Sequence, residues 1–199
     1  MRMKIISCMT FVFMLTMGVK AQFRISTGIS VLYGTGRIPK NADPGTEKPA
    51  IVGYGFFLYP KYNIVEGDAG AVSLGFPLTL GISGRVNSTE GGSISLTADL
   101  PIMLDYNVGA GATRESEAGI GAFAGAGFGY TYTNQVYDYY VNGSIYGSDH
   151  IKGKSYGPMV HGGLKVNINQ KIYFVRAFYR VGIETEKYRL YGAAVGVSF

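Results

Sequence analysis

Residues able to carry acid–base or nucleophilic chemistry are scarce in this 199-residue chain: two histidines, His150 and His161, and one cysteine, Cys8. A histidine base works only within hydrogen-bond reach of the nucleophile it activates. Ser and Asp occur near both histidines, but no local motif ties either one to them. Two histidines and a distant cysteine also lack the short spacings of a zinc site. The expectation is a protein without catalytic, metal or cofactor chemistry, in which His161 belongs to an internal polar network.

The more informative chemistry is ionic. Arg24, Asp99, Asp105, His161, Lys165, Arg176 and Arg180 all fall in stretches where apolar residues alternate with small or polar ones, and all on the small-residue side. A strand sends successive side chains to opposite faces, so one face gathers these charges and the other is apolar. Buried charges are costly unless paired, and a plug of salt bridges closing a narrow interior is expected. By depth along the strands, Asp99 and Arg176 are placed near mid-height and Arg180 higher. Arg24, Asp105 and Lys165 are placed nearer the end where the chain starts.

Eight such alternating segments position these residues, over 22–34, 50–59, 71–83, 93–106, 117–133, 155–168, 171–183 and 188–199. In the third, Val72, Leu74, Phe76, Leu78, Leu80 and Ile82 oppose Ser73, Gly75, Thr79, Gly81 and Ser83. Residues 118–137 lack charge, and Gly121, Gly125 and Gly129 sit four apart, as in a packed helix pair. Glycines at 119, 121, 125, 127 and 129 follow a strand face instead. A soluble barrel would turn its bulky apolar face inward and leave the glycine row and the charges in water. A barrel in lipid turns the apolar face outward, and its glycines make room for charged side chains in the centre. The fold expected is all-β: an eight-stranded antiparallel up-and-down transmembrane β-barrel.

The N-terminus reads as an export signal. Met1 to Lys4 form a basic head, residues 5–17 an uncharged, mostly apolar run, and Val19-Lys20-Ala21 a small-residue cleavage pattern. Thirteen residues at 1.5 Å each are too few to cross a roughly 30 Å hydrocarbon core. Residues 1–21 are therefore expected to be removed, leaving 22–199 as the barrel. The mature chain would carry 15 basic and 13 acidic residues and no cysteine, so disulfides are excluded and no basic stripe points to nucleic acid. Glycine, with 30 residues, is about twice its usual share of roughly 7%.

With the N-terminus inside the cell envelope, the outward connections are 35–49, 84–92, 134–154 and 184–187, and the inward ones are 60–70, 107–116 and 169–170. The two longest both face outward, as in outer-membrane barrels. Within 134–154, Asn142-Gly143 is a strong hairpin signal, so the fifth and sixth strands are expected to continue as a ribbon. A two-residue turn pairs even with odd positions, yet both strands face lipid with even-numbered residues. A bulge near Gly147 or Gly153, or a wider turn, would restore the register. Tyr137, Tyr139, Tyr140 and Tyr146 lie in this loop, as a binding surface or as packing of the ribbon on itself. Phe23, Tyr106, Tyr173 and Phe199 at one end, and Tyr33, Tyr130, Tyr132, Tyr156 and Tyr179 at the other, fit aromatic girdles.

The last strand, Tyr191-Gly-Ala-Ala-Val-Gly-Val-Ser-Phe199, alternates and ends in an aromatic. It resembles the C-terminal strand that the barrel-assembly machinery reads in bacterial outer-membrane proteins, with Tyr191 and Phe199 as its signal residues. Along its mature length the chain resembles the small OmpA/OmpX-type barrels, and its glycine- and tyrosine-rich texture resembles barrels of Bacteroidota. That resemblance implies a monomer in outer-membrane lipid with a structural or surface-binding, adhesin-like role. A narrow channel for small solutes or ions is the alternative, and a lipid-modifying enzyme using His161 the third reading.

Overall fold

The computed structural model describes residues 23–35, 50–68, 70–86, 94–113, 115–141, 144–183 and 188–199, with backbone alone for 50, 85–86, 94, 134–141 and 144–153. The expected export signal, residues 1–21, lies outside the described residues. Nine strands are present among them: β1 (Phe23–Thr35), β2 (Ala50–Gly67), β3 (Gly70–Gly75), β4 (Leu78–Val86), β5 (Ile94–Gly109), β6 (Ile120–Val141), β7 (Ser144–Ile168), β8 (Lys171–Val181) and β9 (Arg189–Ser198). Every pairing is antiparallel; besides sequence neighbours, β2 also pairs β4, β3 also pairs β5, and β9 returns to β1 and closes the ring.

Nine strands make eight staves, because β3 and β4 share one position between β2 and β5. The 71–83 segment, read from its alternation as one strand, is interrupted at Phe76-Pro77. Pro77 has no N–H to offer the ladder, and the Phe76 and Leu78 amides donate instead to the Pro60 and Phe76 carbonyls at 3.0 and 2.9 Å. The kink costs no register: Lys61↔Gly75 below it and Leu58↔Leu78 above it belong to the same pairing frame.

The apolar face points outward. Leu80, Leu96, Ile102, Leu104, Leu164 and Val175 are exposed, whereas Arg176 and Arg180 are 1% and 0% exposed. Surface so apolar around charges so deeply enclosed is stable against hydrocarbon and not against water. Of the expected girdle aromatics, Phe23, Tyr33, Tyr106, Tyr156, Tyr173 and Phe199 are exposed on this wall, and Tyr130, Tyr132 and Tyr179 are half-buried. Tyr191 packs between Tyr33 and Tyr179, with ring centroids 6.3 and 4.9 Å away.

Two inward connections differ from expectation. Strand β2 does not end at Tyr59 but runs on to Gly67, with a bulge at Ile64 that lets Ile64 and Val65 both face out. Strand β5 runs on to Gly109. Lys61, Asn63 and Asn107, assigned from sequence to turns, are therefore buried residues of the interior. At Asn169-Gln170, φ values of 51° and 65° form the tight two-residue hairpin that strand twist favours.

At the opposite end β6 and β7 continue as a two-stranded ribbon. Pairing of β6 with β5 stops at Gln135, and pairing of β7 with β8 starts only at Met159. Between those limits β6 and β7 pair with each other, up to Val141↔Ser144. The register slips between Tyr139↔Gly147 and Tyr140↔Ile145, leaving Tyr146 as the extra residue of a bulge beside Gly147. Of the expected corrections to the parity, a bulge or a wider turn, the structure takes the bulge. Residues 118–137, which admitted a helix, lie mostly in β6.

Candidate functional site: the charged interior of the barrel

The interior is filled, and by more than charges. Phe57, Tyr59, Phe174 and Ala194 form one buried cluster, and Leu32, Met103, Met159, Phe178 and Leu190 another, with Tyr188 packed against the second. Reading the inward face as small and polar left these large residues out, save Leu32. Glycines from neighbouring staves accept them. A methyl group on Gly75 would overlap the Tyr59 ring, and one on Gly192 the Phe178 ring.

The charged residues fall into three groups. In the upper part, Arg180 Nη1 donates to Asp99 Oδ1 at 2.8 Å, Thr131 Oγ1 donates to the same oxygen at 2.5 Å, and Arg180 Nη2 donates to Thr131. Ser83 and Thr97 share a hydrogen bond of 2.7 Å nearby. Side chains on β5, β6 and β8 thus form one charge-compensated unit, in which Asp99 Oδ2 and Arg180 Nε are left without a hydrogen-bond partner. Asp99, placed by depth beside Arg176, meets Arg180 instead. Strands of a closed barrel are tilted and staggered, so equal distance along two strands is not equal height.

In the middle, Arg176 Nε donates to His161 Nδ1 at 2.7 Å, and His161 Nε2 lies 2.5 Å from Asp105 Oδ1. Since Nδ1 accepts, Nε2 carries the proton and donates it to Asp105. Tyr59 donates its hydroxyl to the other carboxylate oxygen, Oδ2. The Arg176 guanidinium is sandwiched between aromatic rings, 5.4 Å from the Phe57 centroid and 4.6 Å from that of Phe178. Such cation–π contacts strengthen out of water and tie the two apolar clusters together. Gly125 makes the His161–Asp105 contact possible. A methyl group there would overlap Asp105 Oδ1 and sit 2.7 Å from His161 Nε2. Both ring nitrogens of His161 are occupied, and neither meets a serine.

At the lower end, Lys61 Nζ and Lys165 Nζ both donate to Asn107 Oδ1, at 2.8 and 2.7 Å, while Asn107 Nδ2 donates to Ser73. The connection after β5 folds up against them. Gly109 and Gly111 take φ of 67° and 62°, the left-handed region that glycine enters freely. The turn they allow buries Ala110 and Ala112. Arg24 clamps it by donating to the Gly111 and Thr113 carbonyls, both at 2.8 Å, and Asn63 donates to the Ala112 carbonyl at 3.0 Å. The segment is a cap on the barrel end, not a free turn.

The sequence therefore named Arg24, Asp99, Asp105, His161, Lys165, Arg176 and Arg180, and all of them meet polar partners in the interior. It missed Tyr59, Lys61, Asn63 and Asn107. The signal was present, since continued alternation through Tyr62 and Asn107 puts them on the inward face, but Pro60 read as a terminator. Tyr137, Tyr139, Tyr140 and Tyr146 lie on the ribbon backbone, and their side chains lie outside the described residues.

No family model matches the chain, and no curated protein matches its sequence. Solved structures do match. The outer membrane protein OprG from Pseudomonas aeruginosa is similar at 12% identity, over 88% of this chain and 93% of that one, with a TM-score of 0.54. Neisserial surface protein A, NspA, is similar at 12% identity over 90% and 98%, with a TM-score of 0.52. At such identity the likeness is one of fold, and the fold is that of outer-membrane β-barrels.

Proposed function

We propose that this chain is a closed bacterial outer-membrane barrel that works as a surface-binding or structural protein, its active surface being the β6–β7 ribbon. The observation that carries this reading is the continuation of β6–β7 pairing past the last pairs with β5 and β8. An isolated two-stranded ribbon is marginal in water, so a long one presented by a rigid barrel fits a recognition role. The tyrosine positions 137, 139, 140 and 146 add residues that give contact area at low entropic cost. Filling of the interior by Phe57, Met103, Met159, Arg176 and Phe178 supports a non-conducting barrel over a channel. The saturation of His161 by Arg176 and Asp105 supports a structural role for it over that of a catalytic base.

In this proposal residues 1–21 are removed on export, Tyr191 and Phe199 serve recognition by the assembly machinery, and the mature protein is a monomer in lipid. The kinship to OmpA/OmpX-type barrels of Bacteroidota belongs to the same proposal. The test replaces residues 137–149 by a two-residue turn. Cells displaying the parent should adhere to protein- or glycan-coated surfaces, and cells displaying the shortened barrel should not. Equal adherence, or steady single-channel openings of the parent in planar bilayers, overturns the reading.

A further inference from the structure

The buried interior carries more positive charge than negative among the described residues: Lys61, Lys165, Arg176 and Arg180 against Asp99 and Asp105. Asp99 is engaged by Arg180 and Thr131, and both oxygens of Asp105 are engaged by Tyr59 and His161. The two lower lysines are held by neutral groups: oxygens, and the faces of the Tyr59 and Phe123 rings, 5.7 Å from Lys61 Nζ and 5.3 Å from Lys165 Nζ. Lys61 and Lys165 meet on Asn107 Oδ1, and Lys165 and Arg24 meet on the Gly111 carbonyl, at 3.5 and 2.8 Å. Glu66 accepts from Asn63, and neither lysine has an ion-pair partner among the described residues. Two neighbouring buried ammonium groups repel each other and have lost their hydration, an arrangement that calls for a counter-charge.

A cavity lies beside them, lined by Lys61 and Lys165, the Gly111 cap, Ser26 and Ser198, and the apolar or aromatic Tyr59, Phe123, Ile172 and Phe174. The space open to the centre of a water-sized sphere is about 10 Å³, enough for one such occupant. Its walls offer donors: two ammonium groups and two serine hydroxyls. The geometry points to a chloride-sized monatomic anion bound between Lys61 and Lys165 beneath the 109–113 cap. Tetrahedral oxyanions are too large for the space, so the site should discriminate by size.

The experiment uses the full barrel in detergent, with its melting temperature followed as chloride replaces gluconate at constant ionic strength. Crystals grown in bromide locate the anion by anomalous scattering. Above saturation, Tm should rise by about 3–5 °C per tenfold increase in chloride. Bromide should substitute and sulfate should not. Lys165→Met should abolish the dependence, while Lys171→Met, at an exposed lysine, should keep it. Identical Tm in chloride and gluconate overturns the proposal, as does sulfate acting as well as chloride. If Lys165→Met does not fold, the parent decides alone: a bromide peak between the Lys61 and Lys165 ammonium groups supports the site, and its absence overturns it.

Discussion

Arg180, in the upper interior, meets a carboxylate 2.8 Å away, whereas Lys61 and Lys165 at the other end meet a shared amide oxygen. Both regions are buried, and both draw one residue from each of several staves. The upper one is internally neutral and joins β5, β6 and β8 without help from a loop. The lower one is cationic and depends on a connection folded back into the barrel, held by Arg24 and Asn63. Charge balance, and not burial alone, therefore separates a part of the interior that locks the barrel from a part that is poised to hold something else.

The middle group decides whether the two ends are one structure or two, and breaking it should have the largest effect. Gly125→Val puts a branched side chain where even a methyl group overlaps Asp105 Oδ1. The same methyl group would sit 2.7 Å from the Leu104 carbonyl oxygen, part of a strand backbone fixed by pairing to Gly125 and its neighbours, so the clash has no cheap relief. The expected result is loss of the folded, heat-modifiable form on gels after refolding into lipid. A folded Gly125→Val barrel with unchanged stability would mean that the Asp105–His161 contact contributes nothing and the two ends are independent.

The next effect tests the compensated end. Asp99→Asn keeps the shape but leaves Arg180 buried without its counter-charge, which should cost about 3–5 kcal/mol in urea unfolding from lipid vesicles. Adding Arg180→Met should restore most of the loss, because removing both charges also removes the need for pairing. If Asp99→Asn alone is tolerated, the upper interior is no more charge-balanced than the lower one, and the contrast between them fails.

Much of this was legible from alternation alone. The outward placing of Leu96 and Val175 and the inward placing of Arg176 follow from a two-residue period. The one-residue slip that the bulge at Tyr146 supplies follows from the parity of two strands and one turn. Three things escaped that reading. Which cation meets Asp99 depends on barrel stagger, which no single strand records. Inward Phe57 and Phe174 answer to the volume of the interior, a property of all staves together. Lys61 and Asn107 were hidden because Pro60 and the glycines after β5 look like turn residues. Here the Pro60 carbonyl accepts from the Phe76 amide and the strand passes through, while Gly109 and Gly111 turn the chain into the barrel instead of away from it.

The smallest effect expected should carry the opposite sign from Asp99→Asn. Lys61→Met removes a buried ammonium group that has no carboxylate partner, and keeps a flexible side chain of similar length beside Tyr59 and Asn107. Asn107 Oδ1 retains Lys165 as a donor, so no acceptor is orphaned. Loss of the Lys61 hydrogen bond costs about 1–2 kcal/mol, and relief of desolvation and of repulsion from Lys165 offsets it. The net change in halide-free buffer should lie within about 1 kcal/mol of zero, on the stabilising side, by the same vesicle unfolding measurement. A loss as large as that of Asp99→Asn would show that Lys61 has a counter-charge after all, and the two ends of the interior would then obey one rule.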